Sequence, residues 1–195
     1  MVTISQPFFL GIHPVTQAQW QAVMRNNPSR FKGDSDRPVE QVSWDDVQRF
    51  LAELSKNNGR LYKLPSEAQW EYACRAGSLE AYCFGDDVSQ LEGYAWYDAN
   101  LGGTTHPVVE KRANTWGLHD IHGNVWEWVQ DWYSDYLSDA VTDPSGPTAG
   151  ADGIVRGGSW TSDAQDMRSA LRFRIPPSRR SDYVGFRCLS PIPSQ

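Results

Sequence analysis

Helix signals are confined to the part of the chain before Gly77, and this division constrains the fold more than any other feature. Three capping-box patterns occur there, each a Ser or Thr followed by a side chain that can reach back to its amide. They pair Thr16 with Gln19, Ser43 with Asp46, and Ser66 with Gln69. An apolar stripe at helical spacing follows each pattern, and Gly59 and Gly77 are expected to end the second and third helices. We therefore predict about three helices in the N-terminal half.

After Gly77 the helical spacing disappears, and Gly, Asp, Asn, Pro and Trp dominate. With nine Trp and sixteen Gly in the whole chain, this composition favours long ordered loops anchored by aromatic rings. Three short apolar runs, 107–109, 154–156 and 184–188, predict strands, and 138–152 is the most loop-like stretch. We therefore predict one α+β domain over residues 1–195.

Charge and hydropathy exclude several classes of protein. The net charge of −6 and the pI of about 5.2 argue against a nucleic-acid binder, which would need a basic surface. No apolar stretch reaches the length of a membrane span, and Met1 to Pro7 does not resemble a secretory signal. We therefore expect a cytoplasmic protein without a membrane or nucleic-acid partner.

Ordered motifs run through nearly the whole chain. The most specific are 64–73 (LPSEAQWEYA), 123–128 (GNVWEW), 156–160 (RGGSW) and 185–187 (GFR). In this order they resemble the formylglycine-generating-enzyme, or sulfatase-modifying-factor, family. The resemblance implies a C-type-lectin-like fold, rich in loops and with short antiparallel strands. The family's usual first strand is not matched, so we expect an abbreviated N-terminal strand.

A calcium site is predicted where two carboxylates, Asp120 and Glu127, bracket a Gly-Asn turn, since calcium prefers hard oxygen ligands. Members of the family hold calcium at the matching place. The resemblance implies the side chains of Asp120 and Glu127 and the carbonyls of Gly123 and Val125 as ligands. The alternative is a turn in which Glu127 caps backbone amides without a metal.

The family's oxidase chemistry depends on two cysteines that bind copper, and the matching positions here are Ser162 and Met167. A hydroxyl is a poor ligand for Cu(I), and one thioether cannot supply a thiolate. We therefore expect no formylglycine-generating activity and assign no catalytic residue. The resemblance also implies that Cys74 and Cys188 lie near each other, as reduced thiols in a cytoplasmic protein.

The C-terminal segment is predicted to bind a ligand. In the family this stretch lines the face that receives a substrate peptide, and its apolar and arginine side chains suit a protein or peptide. The residues concerned are Thr161, Ser162, Asp163, Leu171, Phe173, Arg174, Ile175, Ser178, Arg180, Ser181 and Tyr183. The alternative is that Phe173 and Ile175 only fill the core.

These observations predict a non-oxidase binding module, stabilised by calcium, that recognises a protein or peptide through its C-terminal loops. Some lectin-fold relatives are variable proteins of diversity-generating retroelements, which mutate this same stretch, and we carry that as a hypothesis. The alternative function is an enzyme of the same superfamily with altered, metal-dependent oxidation of an amino-acid or peptide substrate.

Overall fold

The computed structural model describes residues 1–100, 102–136 and 138–192, so the last three residues of the predicted domain lie outside the described residues. The three predicted helices are confirmed as α1 (Gln17–Met24), α2 (Trp44–Asn58) and α3 (Glu67–Arg75). Each begins with the predicted capping box, in which the cap side chain and the third helical residue exchange hydrogen bonds. Gly59 ends α2 in the left-handed region, as expected. In α3 the left-handed cap is Ala76, one residue before the predicted Gly77.

Besides three short 3₁₀ helices, the described residues form eight short strands. They are β1 (Val2–Thr3), β2 (Phe8–Leu10), β3 (Trp126–Trp132), β4 (Val141–Thr142), β5 (Gly153–Arg156), β6 (Arg172–Ile175), β7 (Val184–Phe186) and β8 (Leu189–Pro191). The run at 154–156 is confirmed as part of β5, and the run at 184–188 forms β7 and the approach to β8. The prediction of a strand at 107–109 is wrong, because Val109 has a φ of 72° and donates its amide to a side chain instead.

A four-stranded sheet in the order β6-β5-β3-β7 forms the centre of the domain. β3 pairs antiparallel with β5 and parallel with β7, and β5 pairs antiparallel with β6. Two further pairs lie apart from this sheet, β1 with β4 in parallel and β2 with β8 antiparallel. Besides the expected antiparallel pairings, the domain therefore has two parallel ones, β1 with β4 and β3 with β7.

The central sheet separates two apolar cores. Trp128 and Val155 on one face pack in a cluster with Phe50 and other side chains of α1 and α2. On the opposite face Ile154 packs in a second cluster with Trp70 of α3. The two faces follow from the side-chain alternation of β3 and β5. In the described part of the chain, no helix is long and apolar enough to cross a membrane.

Candidate functional site

The predicted calcium turn leads into β3 and depends on left-handed backbone conformations. Asp120, Gly123 and Asn124 have φ values of 52°, 83° and 63°. The Asn124 side chain fixes the turn to His106, donating to its carbonyl at 3.0 Å and accepting from its amide at 3.0 Å. An amide side chain that satisfies both backbone groups of one residue makes the turn rigid.

Asp120 is 2% exposed, and both of its carboxylate oxygens accept hydrogen bonds. The Val109 amide donates to Oδ2 at 2.8 Å, and the Asn124 side chain donates to Oδ1 at 3.2 Å. Burial raises the pKa of Asp120, while these two hydrogen bonds oppose that rise. Both donors are uncharged amides, so the Asp120 carboxylate has no direct ion-pair partner among the described residues.

Glu127 has a different environment, because its carboxylate meets a buried guanidinium. Arg187 donates from Nε to Oε2 at 2.7 Å and from Nη2 to Oε1 at 2.6 Å. The indole of Trp70 donates to Oε2 at 2.7 Å. Glu127 and Arg187 are 1% and 0% exposed, so this bidentate pair lies between β3 and β7, inside the domain.

The donor set fits calcium only in part. Asp120 is a buried carboxylate without a cationic partner, whereas Glu127 already neutralises Arg187 and would have to share an oxygen with the ion. The other two predicted ligands, Gly123 and Val125, would act only through their carbonyls. Among the described residues, no three His, Cys, Asp or Glu side chains are grouped to hold a metal ion. Calcium binding at this turn therefore remains a prediction.

Ser162 and Met167, the positions predicted to match the family's cysteines, are both buried. The Ser162 hydroxyl accepts a hydrogen bond from the Ser159 amide at 3.2 Å. Met167 ends a short 3₁₀ helix, Ala164–Met167, and packs in an apolar cluster with Tyr82. The two side chains therefore serve loop structure and packing in this arrangement.

All three cysteines are free thiols, and burial raises the pKa of each to about 12. Cys74 contacts the His122 ring at 3.9 Å, and the Cys83 amide donates to the same ring nitrogen at 3.2 Å. Cys83 also contributes to the raised pKa of Cys74, whereas burial alone acts on Cys188. Cys74 and Cys83 thus share the His122 ring as a neighbour, and the expected proximity of Cys74 and Cys188 stays a prediction.

The predicted ligand-binding residues divide by burial. Six are exposed: Thr161, Asp163, Phe173, Arg174, Ser178 and Arg180. Two, Leu171 and Tyr183, are partly exposed, and three are buried: Ser162, Ile175 and Ser181. Ile175, at 7% exposure, belongs to the core, so the core alternative holds for this residue. Ser162, Ile175 and Ser181 cannot contact a ligand without rearrangement.

Phe173 is the one apolar side chain among the six exposed members of this set. It is 48% exposed, and its ring lies against that of Trp126, with centroids 5.7 Å apart. The Trp126 amide donates to the Tyr183 carbonyl at 2.8 Å, so the Tyr183 backbone lies beside that of Trp126. Leu171 and Tyr183 both pack against the core cluster that contains Trp126. We call Leu171, Phe173 and Tyr183, together with the buried Trp126 that supports Phe173, the Trp126 patch.

The two predicted arginines lie elsewhere. Arg174 points to the opposite face of β6 from Phe173, where its guanidinium lies 4.7 Å from the Tyr133 ring centroid. Arg180 binds Asp46 of α2 through both carboxylate oxygens, at 2.7 and 2.9 Å. The structure therefore does not bring the arginines and the apolar residues into one patch.

Sequence reasoning missed three aromatic residues beside these positions. Trp126 supports Phe173, Tyr133 supports Arg174, and Trp160 packs edge-to-face on Phe31 at 5.3 Å. Trp126 belongs to the 123–128 motif, and its spacing from Trp128 is that of a strand with one apolar face, which is a signal for its role. The contacts of Tyr133 and Trp160 join distant segments and leave no local signal.

Comparison with known proteins now places the chain. Residues 1–192 match the family described as the sulfatase-modifying factor enzyme 1-like domain. The chain belongs to this family. The predicted family and its C-type-lectin-like fold are thereby confirmed.

Two curated relatives show how much of a longer protein this domain represents. Formylglycine-generating enzyme of Mus musculus is 34% identical over 90% of this chain and 50% of its own length. Serine/threonine-protein kinase pkn1 of Chlamydia caviae is 30% identical over 93% of this chain and 32% of its own length. The chain thus spans half or less of the length of these two relatives.

Two solved structures match more completely. Treponema denticola variable protein 1 has a TM-score of 0.92 and 31% identity, covering 95% of this chain and 84% of that one. PvdO from Pseudomonas aeruginosa has a TM-score of 0.89 and 27% identity, covering 98% of this chain and 83% of that one. The chain is therefore similar both to a variable protein and to a formylglycine-generating enzyme, and these similarities fit a binding module as well as an enzyme.

Proposed function

We propose that this domain is a non-oxidase binding module that recognises a protein or peptide through the Trp126 patch. The observation that carries the proposal is Phe173, an aromatic side chain held half-exposed on a strand of the central sheet. A large ring that is already held against Trp126 loses little conformational entropy when a partner covers it. Aromatic anchors of this kind supply much of the binding energy of protein interfaces.

Two further observations support this function over oxidase chemistry. The solved structure with the TM-score of 0.92 is described as a variable protein. Ser162 and Met167, predicted to stand where the family's oxidases have cysteines, are buried. We extend the proposal to a variable protein of a diversity-generating retroelement, whose expected mark is a template repeat for codons 161–183. The free thiols suit a reducing compartment such as the cytoplasm, and we include that location in the proposal.

Truncation of the Trp126 patch tests the binding function. We expect Phe173→Ala combined with Tyr183→Ala to weaken each specific partner about thirtyfold, equivalent to the loss of roughly 2 kcal/mol at one hot spot. Affinity capture with quantitative mass spectrometry would identify partners, and titration of each purified partner would give Kd. The matched control is Phe9→Ala, because Phe9 is 54% exposed but lies on β2. Equal Kd values for the wild type and the double variant would contradict the proposal.

Calcium stabilisation is a separate part of the proposal, supported by the buried Asp120 carboxylate that lacks an ion-pair partner. An ion bound only by the folded state adds about 2.7 kcal/mol at a hundredfold excess over its Kd. We expect a chelator to lower the Tm of the wild type and to have no effect on Asp120→Asn. Asp135→Asn, at an exposed position, is the matched control.

The same experiment shows whether Glu127 acts mainly as a partner of Arg187 or as a calcium ligand. If its main partner is Arg187, Glu127→Gln lowers the Tm equally with and without the chelator. A wild-type Tm that is unchanged by saturating chelator would overturn the calcium proposal. Metal analysis of the untagged protein completes the test. Calcium at one per chain would support the site, whereas copper or iron at one per chain would favour the alternative oxidation enzyme.

A further inference from the structure

β6 lies at the edge of the central sheet, and in the described part of the chain no strand pairs with its outer side. An unpaired edge offers a row of backbone donors and acceptors to another extended chain. β6 also carries Phe173, which is 48% exposed, and Arg174, whose side chain is 58% exposed. The outer side of β6 therefore combines a free edge with accessible side chains.

The hydrogen bonds of the sheet determine which residues of β6 direct their backbone outward. Trp126 donates its amide to Tyr183, next to β7, so the neighbouring residue Glu127 faces β5. Its partner Arg156 consequently faces β3, and Val155 faces β6. Because successive residues of a strand alternate between its two edges, each of these assignments fixes the next.

The same alternation continues across β6. Val155 pairs with Phe173, so Phe173 directs its backbone N–H and C=O groups to β5. Arg172 and Arg174 then direct their N–H and C=O groups to the outer edge. These are the free backbone groups that an added strand would meet.

The side chains on the two faces of this edge differ in chemistry. Phe173 stands on one face beside Trp126, whereas Arg174 stands on the other face beside Tyr133. The Arg174 side chain is 58% exposed, and its nearest carboxylate, Asp152, is 3.9 Å away. The neighbouring guanidinium of Arg172 is already neutralised by Glu67, at 2.7 Å. Arg174 is thus available to an incoming carboxylate, and Phe173 to an apolar side chain.

We propose that β6 receives an extended segment of a partner protein as an added antiparallel strand, in which acidic and apolar residues alternate. This proposal rests on the proposed function and specifies how the partner is recognised. Residues opposite each other in an antiparallel pair share a face, so the acidic residues lie opposite Arg172 and Arg174 and form the backbone hydrogen bonds. The apolar residues lie on the face of Phe173.

Charge favours this occupant over a basic one. The stretch from Arg168 to Arg180 contains five arginines and no acidic residue. Two of the five, Arg172 and Arg180, are bound closely by Glu67 and Asp46, and a third, Arg174, lies 3.9 Å from Asp152. The remaining positive charge repels a basic strand and attracts an acidic one.

Amide methylation of a peptide probe tests the proposal. The probe is a blocked, fluorescent peptide in which valine and glutamate alternate, and binding is measured by fluorescence anisotropy. Methylation of the glutamate amides removes the donors that face β6, and we expect it to weaken binding at least about tenfold. Methylation of the valine amides, which face solvent, should leave binding within about twofold. Equal effects of both methylations, or no binding of the parent peptide, would overturn the proposal.

Two variants of Arg174 separate the backbone contribution from that of the charge. Arg174→Thr removes the charge and keeps the outward N–H, whereas Arg174→Pro removes both and is tolerated on a strand edge. We expect Arg174→Pro to bind the parent peptide at least about fivefold more weakly than Arg174→Thr, with similar Tm values for both. Equal affinities would show that the edge is not used.

The outcomes also distinguish this proposal from the binding function itself. A partner that depends on Phe173 and Tyr183, with a peptide that tolerates both methylations, would leave the function standing and refute strand addition. The opposite result is a peptide that binds as an added strand while Phe173→Ala and Tyr183→Ala leave partner affinity unchanged. It would support strand addition at β6 and refute recognition through the Trp126 patch.

Discussion

Arg187→Met is expected to lower the free energy of unfolding by about 3–5 kcal/mol, because it leaves the Glu127 carboxylate buried without its charge partner. The side chains are similar in length, so the loss is mainly electrostatic. Arg187 also donates to the carbonyls of Gly11, His119 and Asp120, at 3.0, 3.1 and 3.3 Å. One substitution thus removes hydrogen bonds to β3, to the residue after β2 and to the predicted calcium turn.

Urea unfolding at neutral pH would measure this effect, with Arg180→Met as the matched control. Arg180 also binds a carboxylate through two hydrogen bonds, but its side chain is 52% exposed, so the control should cost about 1 kcal/mol or less. Combining Arg187→Met with Glu127→Gln should recover part of the loss, since a buried amide costs less than a buried charge. A cost for Arg187→Met no greater than that for Arg180→Met would show that the pair is not buried in solution.

The sequence predicted the helices well because their signals are local. Each capping box lies within four residues of chain, and the structure forms all three through backbone and side-chain hydrogen bonds that need no distant partner. The strands leave weaker signals in the sequence. β6 reads Arg-Phe-Arg-Ile, with an exposed phenylalanine and only one buried residue, so the apolar pattern that identifies a strand is weak.

The candidate site shows the same limit. The motif that contains Glu127 is visible in the sequence, and the turn before it suits calcium. Its partner Arg187, however, lies 60 residues further along the chain. Nothing in the local spacing pairs them, because the parallel alignment of β3 with β7 brings them together. The split of Phe173 and Arg174 onto opposite faces could have been predicted, since adjacent residues of a strand always point apart.

Gly123→Ala is expected to destabilise the domain by about 3 kcal/mol or more, through two effects that add. Gly123 has a φ of 83°, a conformation that costs a residue with a side chain roughly 1–2 kcal/mol. A methyl group at this position would also lie 2.4 Å from the carbonyl oxygen of Trp96 and 3.0 Å from its amide nitrogen. These are backbone atoms, so the segment at Trp96 must move, and such overpacking costs about 1–3 kcal/mol.

Gly59→Ala separates the two effects. Gly59 has a φ of 64°, but a methyl group there would meet nothing within 4 Å, so only the conformational cost applies. Urea unfolding should therefore give a smaller loss for Gly59→Ala, about 1–2 kcal/mol. The difference between the variants measures how tightly the turn packs against Trp96, independently of any bound ion. If Gly123→Ala cost no more than Gly59→Ala, the turn would have room to relax, and the close packing of Trp96 against Gly123 would be disproved.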